Sequence, residues 1–319
     1  MPPTWVMEWL VVAIVHAPGE VPIGFSGHRP AYTLGDPSML NPATRQLLRR
    51  HAVAFAVSFV SLTSLLLAMY AVKQVPQLST RGVPADTIVE AMLLAVPFMA
   101  AMTIPMAVLL AVLWVFTRLG AEGVLAAAQR ERHGVRRLVA PVLGAAVVVA
   151  ALALVSNAQI VPRANERLAA VLTGNATERG DRMMTIGELR AAERRARADT
   201  GPNASARAAN YEVEIQKKYA IAAASVVLAL AGVALALLFP RGGVVLVIGA
   251  GYAVFGAYYA CLIAGEALAD RLVVSPFVAM WMANALFLAL SLLVVWWRSR
   301  APRTPHAAES LAIGQIKRT

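Results

Sequence analysis

The chain has 319 residues, of which 59% are hydrophobic and 15% charged, and a mean hydropathy of +0.63. Soluble globular proteins carry about 25% charged residues, so this balance excludes an ordinary soluble fold and points to an integral membrane protein. The net charge of +11 would suit nucleic acid on a soluble chain. Here most arginines flank apolar runs and no basic face carries interleaved aromatics, so topology and anionic headgroups explain the charge and no nucleic-acid partner is expected.

Residues 1–45 form an N-terminal extension. Trp5–Val15 is apolar apart from Glu8 but reaches only about half the roughly 20 residues of a spanning helix. It lacks the basic leading segment and cleavage site of a signal peptide, and Pro18, Pro22, Gly24, Gly27 and Pro30 break any helix beyond it. The extension reads as interfacial or disordered, or as a start assigned upstream of the true one at Met39.

Six apolar runs follow, at His51–Val72, Ala91–Phe116, Val139–Ile160, Tyr219–Phe239, Val244–Ala264 and Phe277–Trp297. Each is long enough to cross the hydrocarbon core, and Pro97 and Pro105 in the second are tolerable because packed neighbours satisfy freed backbone groups. The predicted fold is an all-α integral membrane protein, with six transmembrane helices in a 3+3 arrangement. Residues 46–160 hold the first three spans and 219–298 the last three. A short helical or coil segment, 161–218, lies between them, and a tail over 299–319 ends the chain.

Between spans two and three lies a polar loop, 117–138, with arginines at 118, 130, 132, 136 and 137. Fifteen basic residues fall on this loop's side of the membrane, against Lys73, Arg81 and Arg271 in the short loops of the other. That asymmetry predicts cytoplasmic termini. The eleven basic residues of 161–218 do not vote, because long segments translocate regardless of charge. Within that segment Thr185 and Glu188 have capping-box spacing, predicting a helix over 186–198 with Glu193 and Arg197 paired four apart. Glu212 and Glu214 stand where they could offset Lys217 and Lys218.

Recognisable catalytic chemistry is missing from the pattern. No phosphate-cradling glycine loop with Lys-Ser/Thr occurs. The histidines at 16, 28, 51, 133 and 306 lack ligand spacing, and one cysteine, Cys261, makes no internal disulfide. No catalytic residue, metal site or cofactor is therefore expected in this chain. Gly249, Gly251 and Gly256 lie inside a span and read as close helix packing, as Ser58, Ser61, Thr63 and Ser64 read as interhelical bonding. No acidic residue stands at mid-span, which disfavours an ion-coupled carrier and implies that energy arrives from elsewhere.

Several stretches, in this order and spacing, resemble the LptF/LptG (YjgP/YjgQ) family of lipopolysaccharide export permeases. They are Val96-Pro97 and Ile104-Pro105-Met106 in span two, Arg118-Leu119-Gly120-Ala121-Glu122-Gly123 and His133-Gly134-Val135 in the loop, and Ser156-Asn157 and Val161–Asn165 at the exit of span three. Tyr211–Ala220, Arg241-Gly242-Gly243, Tyr258-Tyr259, Gly265–Leu268 and Trp281–Asn284 continue the match, which covers about residues 41–298. The resemblance implies a permease subunit of an ABC-type exporter in the bacterial inner membrane that extracts lipopolysaccharide or a related glycolipid. The implied partners are a cytoplasmic ABC ATPase dimer that holds ATP-Mg, a second permease subunit (paralogue or self) and the lipid itself. It also implies a β-jellyroll between spans three and four. Segment 161–218 is too short for one and lacks strand character, so a jellyroll-containing periplasmic partner could supply it, or the chain could be a non-transporting scaffold or assembly factor derived from the family.

By the same resemblance the loop docks on the ATPase. Val124, Leu125 and Ala128 would supply an apolar ridge at i, i+1 and i+4, rimmed by Glu122, Arg130 and Arg132. The alternative is a merely topogenic basic loop. Val124 stands where the family pattern places Glu, and Glu122 is two positions earlier. Lys73, at the end of span one, resembles a family lysine that meets lipid phosphate. Lys217 and Lys218 invite the same reading, against that of lysines snorkelling from span ends.

Overall fold

The computed structural model describes residues 42–131, 134–173, 180–239 and 243–300. The expectations for residues 1–41, Arg132, His133, Arg241 and the tail beyond 300 fall outside it. Every regular element among the described residues is helical. In chain order they are α1 (Pro42–Thr80), α2 (Ala85–Ala121), α3 (Val124–Arg130), α4 (Gly134–Val155), a π-turn (Ser156–Ile160), α5 (Val161–Thr173), a 3-10 turn (Asp181–Met183), α6 (Ile186–Ala198), α7 (Ala204–Leu238), α8 (Val244–Asp270) and α9 (Pro276–Arg300). Six helices are long and apolar enough to cross a membrane, with α4, the π-turn and α5 counting as one. The expected all-α, six-span protein is what the structure shows.

Several helices outrun the apolar windows that identify them. α1 begins at Pro42 and α7 at Ala204, because Arg45, Arg49 and Arg50, or the Ala-rich turns before Lys217, extend a helix past the hydrocarbon without breaking it. The chain likewise does not stop at the end of span three. It passes through a π-turn, where the Val161 N–H donates to the Ser156 carbonyl five residues back, and continues to Thr173. α6 occupies the range expected from its cap. The Thr185 hydroxyl accepts from the Glu188 N–H and the Glu188 carboxylate accepts from the Thr185 N–H, while Arg197 Nε donates to Glu193 at 2.8 Å.

α2 and α7 form the centre of the bundle. Their apolar windows are 61% and 72% buried, against 6% for α1, so α1 stands at the edge of the bundle with most of its apolar surface left uncovered by this chain. α7 packs on α2, α4, α6, α8 and α9, and α1 lies against α2. Small residues let the two central helices approach closely. Ala222, Ala224, Ala229, Ala231, Ala234 and Ala236 of α7 are all buried, and a Cβ on Gly232 would sit 3.1 Å from the Leu109 carbonyl oxygen. Gly251 faces Leu110 of α2, whereas Gly249 and Gly256 face nothing within 4 Å, so only one of the three span-five glycines packs as the sequence suggests. The Thr63 hydroxyl meets the Thr103 hydroxyl at 2.8 Å between α1 and α2, an interhelical bond of the kind expected for span one.

Candidate functional site

Two polar layers stand at opposite ends of the bundle. Lys217 and Leu238 are 21 residues apart on α7, which at 1.5 Å per residue is about 32 Å, close to the roughly 30 Å of a hydrocarbon core. One layer surrounds α3; the other surrounds Lys217 and Lys218.

The α3 layer begins where α2 ends at Ala121. Gly123, with φ of 78°, turns the chain in the left-handed region where a side chain would be strained, and α3 follows for seven residues. So short a helix is not stable alone. Leu125 is 1% exposed and Ala128 7%, both buried against this chain itself. Leu125 joins Leu47, Phe116, Leu119, Val142 and Leu237 in one apolar cluster, with Val124 packed at its edge. Leu125 and Ala128 of the ridge that the resemblance aimed at a partner therefore face inward, because a loop helix returning to its own bundle buries its apolar stripe there. A Cβ on Gly134, at the start of α4, would fall 2.3 Å from the Ala128 carbonyl oxygen, so the return of the chain clamps the same face. Outward-facing residues are Glu122, Ala126, Ala127 and Arg130. Glu122 accepts from Arg50 Nη1 of α1 at 3.1 and 3.2 Å. Beside this layer, Arg298 Nε donates to the Leu237 carbonyl at 2.9 Å, satisfying one of the open acceptors at the end of α7.

At the far layer, α7 presents Glu214, Lys217 and Lys218 to three neighbours. Lys217 Nζ donates to Glu214 at 2.9 Å and to Glu266 of α8 at 2.5 Å. Glu214 also faces the Arg182 guanidinium at 3.9 Å. Lys218, 8% exposed, donates instead to the backbone carbonyl of Asn157 in the π-turn at 3.2 Å. These groups line a cavity of about 140 Å³. Asp181 sits nearby outside the spans, and burial, then the Glu214 carboxylate, push its carboxyl above the usual range.

The structure separates the three lysines that sequence reading grouped. Lys73 is exposed on α1 and makes no ion pair among the described residues. Lys217 is neutralised by two carboxylates, and Lys218 is buried in a cavity. The expected offset of basic charge by neighbouring acids is present in a divided form: Glu214 serves Lys217, and Glu212 pairs with Arg197 at 2.9 Å. Asn157 and Glu266 carry more of this layer than sequence reasoning assigned them. The only signal available was a polar Ser-Asn pair interrupting an apolar run.

Among the described residues no group of three or more His, Cys, Asp or Glu is placed to hold a metal. No curated protein matches the chain. The family pattern described as "Lipopolysaccharide export system permease LptF/LptG" matches over residues 45–180 and 173–298, taking in both polar layers and all six spans. This multi-pass membrane protein belongs to the LptF/LptG family of lipopolysaccharide export permeases.

Proposed function

We propose that the chain is the permease subunit of an ABC-type exporter that extracts lipopolysaccharide or a related glycolipid from the inner membrane. A separate ATPase dimer drives it, and a second permease subunit, a paralogue or another copy, completes the path. The observation that carries this reading is the family match over nearly all of the described bundle. Its two pieces meet at residues 173–180, inside the segment where a jellyroll would stand, and the described part of that segment is helical.

In this reading the α3 layer and both termini are cytoplasmic. The coupling contact is made by the outward face of α3, with Glu122, Ala126, Ala127 and Arg130 meeting the ATPase while Leu125 and Ala128 hold the helix in place. Lys73 meets lipid from the outside of the bundle. A non-transporting scaffold remains the second reading, favoured by the helical character of the segment between spans three and four.

Co-expression with a family ATPase and reconstitution in liposomes tests the choice. The permease reading expects ATP hydrolysis to change when lipopolysaccharide is present and labelled lipopolysaccharide to leave the bilayer on ATP addition. A complex that assembles but whose hydrolysis ignores lipid would establish the scaffold.

A further inference from the structure

Span three changes its hydrogen-bond register at one place, and the sequence there supplies the cause. Pro162 is the second residue of α5 and is fully buried. A proline inside a helix lacks the N–H that would bond four residues back, and its ring presses on that carbonyl, here the carbonyl of Ala158. The π-turn just before it widens the helix by one residue, so that the Val161 N–H reaches back five positions to Ser156. That shift relieves the crowding and orphans another group. In an α-helix the Val161 N–H would serve the Asn157 carbonyl. With it withdrawn, the next donor in line belongs to residue 162, and proline has none. The Asn157 carbonyl is therefore left without a donor from its own helix, on a residue only 7% exposed. A buried carbonyl without a partner costs about as much as a lost hydrogen bond.

Lys218 fills the gap. Its Nζ donates to the Asn157 carbonyl at 3.2 Å, across 61 positions of sequence, while Lys217 beside it is taken by Glu214 and Glu266. We infer that Pro162 and Lys218 act as one device. The proline opens span three by one residue, and the lysine of α7 takes the carbonyl this frees, pinning the exit of span three to the entry of span four. Both roots of the segment between those spans are thereby joined, and a displacement of that segment acts on the two spans together. Lys218 works here through the backbone of span three and needs no ligand to do so, so the pin stands whether or not the chain is a permease.

The test is a double-mutant cycle on the full chain in a maltoside detergent free of phospholipid, read as amide exchange over 156–166 and 212–222, with melting temperature as the check that each variant folds. Lys218→Met removes the donor and keeps most of the side chain's length. With Pro162 in place it should accelerate exchange in both stretches about tenfold or more, as expected for a lost charged hydrogen bond. Pro162→Ala returns an N–H to the helix, and in that background Lys218→Met should change exchange less than about threefold. Lys218→Arg, which keeps a charged donor, should preserve most of the protection. Lys217→Met, which strips carboxylates of a partner rather than a carbonyl, should act alike in both backgrounds. If Lys218→Met does not fold with Pro162 present, Lys218→Gln, one bond shorter, takes its place in both backgrounds. Equal acceleration with Pro162 and with Pro162→Ala would sever the lysine from the proline and overturn the device. Exchange indifferent to Lys218 with Pro162 in place would overturn the pin itself.

Discussion

Leu125 and Ala126 are neighbours on a seven-residue helix, yet their roles separate cleanly. Leu125→Ala removes a side chain that is 1% exposed within the cluster of Phe116, Leu119 and Leu237. Buried Leu→Ala changes cost about 2–5 kcal/mol; a short helix at the bundle end can partly collapse into the space, which places this one at about 2–3. Because α3 is too short to persist alone, that loss falls on its docking against the bundle, where each 1.4 kcal/mol is about tenfold in population. Amide hydrogen exchange over 124–130 in nanodiscs should therefore accelerate roughly 30- to 140-fold. Ala126→Asp does the opposite. The side chain is exposed, and a carboxylate in the first turn of α3 is favoured by the helix dipole, so exchange should barely move. Association with the ATPase, measured by pull-down and titration, should fall by about tenfold or more as an apolar contact gains an unpaired charge. Unchanged exchange in Leu125→Ala would refute the inward assignment. Undiminished association in Ala126→Asp would refute the outward face as the docking surface.

Lys217→Met strips Glu214 and Glu266 of their common partner. Breaking a buried pair costs about 3–5 kcal/mol, and side-chain exposures of 13–29% discount this to about 2, read as a lower melting temperature in neutral detergent that Glu266→Gln partly restores. Gly265→Ala drives a methyl to 2.3 Å from the Ala279 carbonyl oxygen, and because the obstacle is backbone, α8 and α9 must part. A loss of about 1–3 kcal/mol is expected, while Gly249→Ala, which meets nothing within 4 Å, leaves melting unchanged or raised. Asp199 is held below the usual carboxylate range chiefly by the Gly201 N–H, with the Arg207 guanidinium adding to it. A lowered folded pKa makes its contribution complete above about pH 3.9 and lost only as pH falls through the lowered value. Exchange in the turn between α6 and α7 should be flat from pH 7 to 5 and rise only in stronger acid, and in Asp199→Asn that acid-dependent rise should disappear.

Much of this architecture was legible because its causes are local. Hydropathy identifies a span whatever its neighbours are, and Thr185 with Glu188 and Glu193 with Arg197 act across three or four residues, so α6 was predicted to its ends. What was not legible depends on which helix covers which face. Nothing in the composition of α1 and α7 says that one lies at the edge of the bundle and the other at its centre; the difference arises because α7 is rich in alanine and is packed by five other helices. The cavity was hidden for the same reason. Asn157, Lys218 and Glu266 are separated by 61 and 48 positions in the chain, and only the packing of span three, α7 and α8 assembles them.

The α3 ridge shows how one pattern admits more than one cover. An i, i+1, i+4 spacing marks an apolar stripe but not what covers it, and in a loop tied at both ends the nearest cover is the chain itself. The same reasoning bears on Glu122, which lies two residues from the position where the resemblance places a glutamate. Its bond to Arg50 joins side chains that are 29% and 43% exposed, and pairs of that kind contribute about 0.2–1 kcal/mol. A partner arginine approaching Glu122 therefore displaces Arg50 at a cost below a factor of about five in affinity. Glu122 is held in position for α3 without being withheld from a partner, whereas the buried Leu125 could reach one only by undoing the helix that presents it.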